Sequence, residues 1–152
     1  MEKFKSGFVA VIGKTNVGKS SIINRLVGEK VSAIANKPQT TRTRIKGIAN
    51  RPNSQIIFLD TPGLHKSKSK LGNVMIENAI ESIPEADIVL YVIDASKSSI
   101  DEKIMDKIKE ANKKTILIIN KIDLIDKEKL ASIINLYKDL YDFKAIIPVS
   151  IK

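Results

Sequence analysis

The chain has 152 residues, a length that corresponds to one domain large enough to bury a hydrophobic core. Hydrophobic residues make up 43% and charged residues 28%, as in globular proteins, and the lack of cysteine excludes disulfides and cysteine-ligated metal sites. The first apolar stretch, residues 8–12, is too short for the core of a signal peptide or for a membrane span, so we expect a soluble, cytoplasmic protein.

The net charge is +9, and lysines are spread along the chain, with local concentrations of basic residues at 37–46 and 66–70. Two interpretations are open: these lysines coat an ordinary protein surface, or the surface meets a polyanion such as RNA. Aromatic residues are only 5% of the chain and do not alternate with the basic ones, so the stacking of single-stranded bases finds no support.

Short apolar runs alternate along the chain with segments whose apolar residues recur at helical spacing. In chain order these patterns predict a strand at residues 8–12, a helix from about 19 to 27, a loop at 31–44, strands at 45–50 and 55–59, a loop at 64–73, a helix to about 83, a strand at 87–94, a helix at 101–111, a strand at 115–119, a helix at 127–141 and a strand at 145–149. The turn residues 51–54 join the second and third strands in a hairpin. The alternation predicts an α/β fold with a mostly parallel, doubly wound sheet and one antiparallel edge strand.

The core faces of three predicted helices follow from the same spacing. They consist of Ile22, Ile23, Leu26 and Val27 in the first helix, which Gly28 ends; Ile104, Met105 and Ile108 in residues 101–111; and Leu130, Ile133, Ile134, Tyr137 and Leu140 in residues 127–141.

A phosphate-binding pattern, G-x-x-x-x-G-K-[ST], occupies residues 13–20 between the first strand and the first helix. Its glycines let backbone N–H groups approach a phosphate, and the start of the helix adds a positive dipole end. We predict that Lys19 reaches the β- and γ-phosphates and that the Ser20 hydroxyl binds Mg²⁺. Further predicted nucleotide contacts in this segment are Asn16, Val17, Gly18 and Ser21. The alternative is a glycine-containing turn without a ligand.

Asp60-Thr61-Pro62-Gly63 ends the strand at residues 55–59. A carboxylate at the tip of a strand can hold Mg²⁺ directly or through water, and Gly63 leaves a backbone N–H available to a γ-phosphate. By itself this string is a common turn. Its position downstream of the phosphate pattern favours the metal-binding interpretation for Asp60.

Asn120-Lys121-Ile122-Asp123 also ends a strand. Guanine presents N1–H and an exocyclic amine side by side, so one carboxylate, that of Asp123, can accept both hydrogen bonds. Adenine lacks this pair of donors, and a site built on a required hydrogen bond rejects the analogue without it. Asn120 can bond the base edge and tie neighbouring loops together, while the stem of Lys121 lies along the purine face. The alternative is a polar connection.

Four residues of the two loops complete the candidate set. Thr40 and Thr41 lie between the phosphate helix and the Asp60 strand, where a nucleotide-sensing loop belongs. His65 is the one histidine of the chain, and a surface position is the simpler explanation for it than a general base. Leu64 is nonpolar and therefore cannot orient an attacking water, a task that Ras-type proteins give to glutamine.

Together these residues resemble the translation-factor-related GTPases, and within them the Era family, over the whole chain. The likeness rests on GKTNVGKS at residues 13–20, PQTTRTR at 38–44, DTPGLH at 60–65, NKID at 120–123 and PVSIK at 148–152. In the last segment Ser150 and Ile151 correspond to the family's Ser-Ala, whose backbone amides meet the guanine carbonyl. Ribosome-assembly GTPases with tandem G domains are the nearest alternative.

The resemblance implies a P-loop NTPase fold that binds GTP or GDP with Mg²⁺ and hydrolyses GTP slowly. It also implies that Thr41 is the switch ligand of Mg²⁺, that Asn16 helps hold K⁺ in place of an arginine finger, and that catalysis depends on Lys19, Thr41 and Gly63. The implied partners are the small ribosomal subunit and its rRNA, bound through a C-terminal KH domain, with peripheral contact to the inner membrane.

The chain departs from the family at its end. We expect residues 1–152 to form a single GTP-binding domain without a KH domain, so RNA binding through that domain is not carried over. The helix expected after the last motif is also missing, and we expect a truncated fold whose sheet exposes apolar side chains on one face. Three functions remain: a GTPase whose loops at residues 37–44 and 64–73 change with the nucleotide, a nucleotide-gated binding module, and an ATP-using enzyme, which Asp123 disfavours.

Overall fold

A computed structural model describes residues 4–14, 16–28, 44–60, 83–97 and 99–151. Within these residues one sheet has six strands: β1 (Lys5–Ile12), β2 (Arg44–Arg51), β3 (Ser54–Asp60), β4 (Ile88–Asp94), β5 (Lys114–Asn120) and β6 (Ala145–Pro148). Their order across the sheet is β2-β3-β1-β4-β5-β6. Only the edge strand β2 runs antiparallel to its neighbour, as the hairpin predicts. The mostly parallel sheet with one antiparallel edge strand is therefore confirmed.

Three helices are described: α1 (Lys19–Val27), α2 (Glu102–Ala111) and α3 (Lys127–Lys138). Each of the last two begins at an aspartate whose side chain accepts a backbone N–H of the first turn: Asp101 from Ile104 at 3.0 Å, and Asp126 from Lys129 at 2.8 Å. These are N-caps, which satisfy donors that a helix start leaves without a partner. Two short 3₁₀ turns lie at Ile83–Glu85 and Ile122–Leu124.

The predicted end of the last helix was wrong by three residues, since α3 stops at Lys138 rather than at residue 141. The Leu140 N–H donates to the Tyr137 carbonyl at 3.0 Å, which is a turn and not a continued helix. That turn places Tyr141 and Phe143 in edge contact, with ring centroids 5.3 Å apart, and lets the Tyr141 hydroxyl donate to the Lys113 carbonyl. The helix therefore ends although the apolar spacing continues, and beyond its end Tyr141 and Phe143 pack against the core of the sheet.

The core lies on both faces of the sheet, because the side chains of the central strands alternate between them. In β4, Tyr91 packs towards α2 and α3, while the neighbouring Val92 packs towards α1. The predicted core faces of the helices are confirmed by Ile22, Ile23, Ile104, Met105, Ile108, Ile133 and Tyr137, all buried. On the α1 face, Ile147 is 41% exposed.

Several sequence predictions lie outside the described residues. These are the loop at 31–43, the loop at 64–73, and the helix that ends near residue 83, together with Thr41, Gly63, Leu64 and His65. Among the helices that the structure describes, none is long and apolar enough to cross a membrane.

Candidate functional site

The carboxyl ends of β1, β4 and β5 meet at one edge of the sheet, since these neighbouring strands are parallel. Gly13 follows β1, while Asp94 and Asn120 are the last residues of β4 and β5 and are register partners. Ligands of open α/β sheets bind at this edge. The structure thus brings together the segments at residues 13–20 and 120–123, which are far apart in sequence.

The loop after β1 is a tight turn that two glycines make possible. Gly13 has φ +152° and Gly18 has φ +103°, values that L side chains rarely adopt. A Cβ at Gly13 would lie 2.5 Å from the Val92 carbonyl oxygen, and one at Gly18 would overlap the side-chain nitrogen of Asn120. Both positions therefore require glycine because the backbone passes against a neighbouring strand end.

Lys19, the lysine of the phosphate pattern, points back into its own loop. Its Nζ donates to the Gly13 carbonyl at 2.6 Å. Burial lowers the pKa of Lys19 to about 8, because removal from water disfavours the charged form. An anion bound inside the loop would stabilise the ammonium form, so the position suits a phosphate-binding cation.

The N-terminus of α1 has features that favour the binding of an anion. Its N-cap is Gly18, which offers no capping side chain, and the first turn contains no acidic residue. The first backbone N–H groups of a helix have no partner within the helix, so they can bind a phosphate. Ser20 and Ser21 lie in this first turn, and Ser20 is exposed.

The predicted Mg²⁺ ligands are only partly described. Ser20 supplies a hydroxyl, and the backbone of Asp60 ends β3, while the side chain of Asp60 and all of Thr41 lie outside the described residues. Hydroxyl and carboxylate oxygens are the hard donors that Mg²⁺ prefers, and Mg²⁺ commonly completes its shell with substrate phosphates. In the described part of the chain, no three His, Cys, Asp or Glu residues cluster as a metal site. The donor set fits a magnesium ion held jointly with a phosphate.

Asn120 joins the two ligand-binding segments. It is fully buried, and its Nδ2 donates to the Val17 carbonyl at 2.9 Å and to the Ile151 carbonyl at 3.3 Å. Its Oδ1 accepts the Ile151 N–H at 2.9 Å. The side chain thereby connects the phosphate loop, the end of β5 and the segment after β6, as the sequence predicts for a residue that ties loops together.

Asp123, whose carboxylate is predicted to bind the guanine base, is exposed to solvent. Its Oδ1 accepts a hydrogen bond from the Ser150 hydroxyl at 2.7 Å. The structure therefore brings Asp123 next to Ser150 and Ile151, although 27 positions separate Ser150 from Asp123 along the chain. The Ile151 N–H, which the resemblance assigns to the guanine carbonyl, donates in this structure to Asn120 Oδ1 at 2.9 Å.

One functional contact was missed by sequence reasoning. Lys121 adopts φ +68°, and its Nζ donates to the Asn16 carbonyl at 2.8 Å and lies 3.1 Å from Asp94 Oδ2. Asp94 Oδ1 accepts two hydrogen bonds from Ser96, one from its N–H at 2.9 Å and one from its hydroxyl at 2.6 Å. The sequence shows that a carboxylate ends the apolar strand β4, as Asp60 ends β3, but it does not show which residue that carboxylate pairs with.

Burial by itself raises the pKa of the Asp94 carboxyl, but the hydrogen bonds from Ser96 and the ammonium of Lys121 outweigh it and hold the pKa below its usual value. The side chain is therefore ionised at neutral pH. A buried carboxylate of this kind requires its partners, because an unpaired buried charge costs several kcal/mol, of the order of 3–5 when one partner is removed.

Comparisons with known proteins identify relatives of this arrangement. A family model described as "50S ribosome-binding GTPase" matches residues 8–121. The chain is 47% identical over 149 residues to the GTPase Era of Ruminiclostridium cellulolyticum, covering 97% of this chain and 50% of the relative. It is 45% identical over 151 residues to the GTPase Era of Geotalea uraniireducens, covering 98% of this chain and 51% of the relative.

Two solved structures have the same fold at 44% identity. One is Aquifex aeolicus Era, a variant bound to GDP and AlF4⁻, with a TM-score of 0.74 over 97% of this chain and 52% of that one. The other is Era in complex with MgGDPNP and nucleotides 1506–1542 of 16S ribosomal RNA, with a TM-score of 0.74 over 97% of this chain and 51% of that one. The chain spans about half the length of these relatives.

Proposed function

Because the chain belongs to the family of 50S ribosome-binding GTPases, we propose that it binds guanine nucleotide with Mg²⁺ and hydrolyses GTP as a molecular switch of the Era type. The observation that carries this proposal is the Asn120 junction. The buried amide of Asn120, at the start of the base-reading segment, bonds the phosphate loop at Val17 and the segment after β6 at Ile151, so phosphate and base are recognised by parts of one fixed frame.

Base recognition is assigned to Asp123. Its carboxylate accepts hydrogen bonds from N1–H and the exocyclic amine of guanine, and the hydroxyl of Ser150 helps fix its orientation. The backbone amide of Ser150 meets the guanine carbonyl, whereas the Ile151 N–H, predicted for the same contact, donates to Asn120 Oδ1. The stem of Lys121 lies along the purine face. Adenine does not offer the Asp123 carboxylate this pair of donors, which gives the preference for guanine.

Phosphate recognition is assigned to the loop of residues 13–20 and the start of α1. Lys19 provides the cation for the β- and γ-phosphates, and backbone N–H groups around Gly18 provide donors. Ser20, Thr41 and Asp60 are the residues that would hold Mg²⁺, which when bound neutralises charge on the phosphate oxygens. Catalysis consists of positioning and charge stabilisation by Lys19 and the backbone amides, including that of Gly63.

The rate of hydrolysis follows from one side chain. Leu64 stands where a glutamine could orient the attacking water, so unassisted turnover is slow, about 10⁻⁴ to 10⁻² s⁻¹ as in unassisted proteins of the Ras and Gα type. Asn16 helps hold a potassium ion that supplies the positive charge of an arginine finger. Both assignments depend on the family likeness.

The proposed partners follow from the relatives of the chain. An Era relative of this chain was solved with a fragment of 16S ribosomal RNA, and the net charge of +9 suits a polyanion. We therefore assign the protein to the cytoplasm and to small-subunit ribosome assembly. Peripheral association with the inner membrane is a further part of the same family-based proposal.

The test is a titration of fluorescent GDP competed with GTP, ATP and xanthosine triphosphate. GTP should compete strongly and ATP should not. Asp123→Asn should weaken GTP binding and favour the xanthosine nucleotide, whose C2 carbonyl needs a donor. Asp142→Asn, which removes the same charge from an exposed position after α3, is the matched control. Equal competition by ATP and GTP in the unmodified protein would refute the proposed function.

A further inference from the structure

We propose that Asp94 is a positioning residue that fixes Lys121 against the Asn16 carbonyl and thereby sets the conformation of the phosphate loop. This inference rests on the proposed function, since its effect is on nucleotide binding. It concerns the contact between the ends of β4 and β5, where Asp94 and Asn120 are register partners.

Interactions with both of its oxygens hold the Asp94 carboxylate in one orientation. Ser96 donates twice to Oδ1, so the other oxygen, Oδ2, is turned to Lys121 Nζ at 3.1 Å. The Asp94 side chain is only 6% exposed, whereas that of Lys121 is 32% exposed. A lysine with this much solvent access would gain rotamer freedom and hydration by leaving the site, so a buried, oriented counter-charge is what retains it.

The second contact of Lys121 lies in the phosphate loop. Its Nζ donates to the Asn16 carbonyl at 2.8 Å. Lys121 and Asn16 both have left-handed backbones, with φ of +68° and +64°, and such non-glycine residues store strain that surrounding contacts must overcome. The hydrogen bond from the Lys121 ammonium to the Asn16 carbonyl therefore links two residues whose backbone conformations are both strained.

The consequence for nucleotide binding follows from the geometry of the peptide bond. In a planar trans peptide the carbonyl of one residue and the N–H of the next point in opposite directions. Because the Asn16 carbonyl points to Lys121, the Val17 N–H points away from Lys121, and we assign it to the phosphate side of the loop. Loss of the Asp94 charge frees Lys121, lets this peptide rotate, and removes a donor from the bound phosphates.

The experiment measures the dissociation rate of fluorescent GDP from the Mg²⁺ complex of the full chain. Asp94→Asn keeps an acceptor for Ser96 but turns an amide towards the ammonium, and should accelerate dissociation roughly tenfold to a hundredfold, as expected for one charged hydrogen bond. Asp106→Asn, an equal charge change at an exposed position of α2, should leave the rate unchanged within about twofold.

A double-mutant cycle separates positioning from a structural role. In a Lys121→Met background, Asp94→Asn should change the dissociation rate less than about twofold, because its effect acts through Lys121. If Asp94→Asn still accelerates GDP dissociation in the Lys121→Met background, in proportion to the decrease in melting temperature, the inference is overturned. If Asp94→Asn fails to fold, Ser96→Ala serves instead, with a smaller acceleration that Lys121→Met again removes, and an unchanged rate would count against the inference.

The outcomes for the two proposals are distinguishable. Tight binding of GDP by the unmodified protein with normal dissociation from Asp94→Asn refutes the inference alone. Failure of the unmodified protein to prefer GDP over ADP refutes the proposed function, and the inference with it.

Discussion

Replacement of Asn120 by aspartate exchanges an amide for a carboxyl at a position without solvent access. The native Nδ2 donates to two carbonyl oxygens, those of Val17 and Ile151. An ionised carboxylate can donate to neither, and a protonated one can donate to only one of them. The Ile151 N–H keeps its acceptor in either case. The change therefore removes contacts on one side of the residue without altering its size.

The magnitude follows from these contacts. Loss of one or two hydrogen bonds, with a buried carbonyl left unsatisfied, costs about 2–4 kcal/mol of unfolding free energy. For a domain of this size each kcal/mol lowers Tm by about 2–4 °C, so we expect a decrease of roughly 5–15 °C in the nucleotide-free protein. Asn135→Asp, the same chemical change at an exposed position of α3, should alter the unfolding free energy by less than about 0.5 kcal/mol.

The pH dependence has a definite sign. Burial raises the pKa of the introduced carboxyl above its unfolded value of about 3.9, so between these two values the folded state binds more protons than the unfolded state. The unfolding free energy of the variant then falls relative to the native protein as pH rises above about 4, and levels off above the folded pKa. Thermal melts from pH 4.5 to 8 measure this. A decrease of under 2 °C at every pH would refute the assigned role of Asn120.

Three further outcomes are expected. Gly18→Ala places a Cβ against Asn120 at φ +103° and should abolish GDP binding in a fluorescence titration; retained affinity would contradict the close approach. Burial lowers the pKa of Lys19 to about 8, and a bound phosphate favours the ammonium form, so GDP binding near pH 8 should take up protons. Calorimetry in buffers of different ionisation enthalpy measures this uptake, and the Lys19→Arg variant should lack it. At constant ionic strength, sodium in place of potassium should slow GTP hydrolysis, and Asn16→Ala should remove the difference; equal rates in both salts would exclude potassium from the mechanism.

The order of the elements could be predicted from sequence because each depends on a local pattern. The apolar runs before Gly13 and Asn120 are too long and too uniformly apolar for loops, and they form β1 and β5. The candidate phosphate loop and the candidate base-reading segment could be proposed for the same reason, since the predicted chemistry of each is carried by consecutive residues. Asn120 was predicted to tie loops together, and its hydrogen bonds to Val17 and Ile151 do so.

What could not be predicted depends on register and on contacts distant in sequence. The ion pair of Asp94 with Lys121 exists because β4 and β5 pair with Asp94 beside Asn120, and no local pattern specifies that register. The end of α3 was misplaced for a related reason. Leu140 continues the apolar spacing of the helix, yet it contacts the core from a turn, beside Tyr141 and Phe143, which pack against the same core.

The order of strands across the sheet has a consequence for how the protein would acquire its proposed nucleotide binding. The phosphate loop follows β1 and the base-reading segment follows β5, but β4 lies between these two strands. The hydrogen bond from Asn120 to Val17, which spans 103 positions of the chain, can form only after β4 has been inserted. Contacts of such long separation form slowly, because the chain must be closed into a large loop first. Recognition of nucleotide should thus be among the last properties to appear during refolding, after the bulk of the secondary structure has formed.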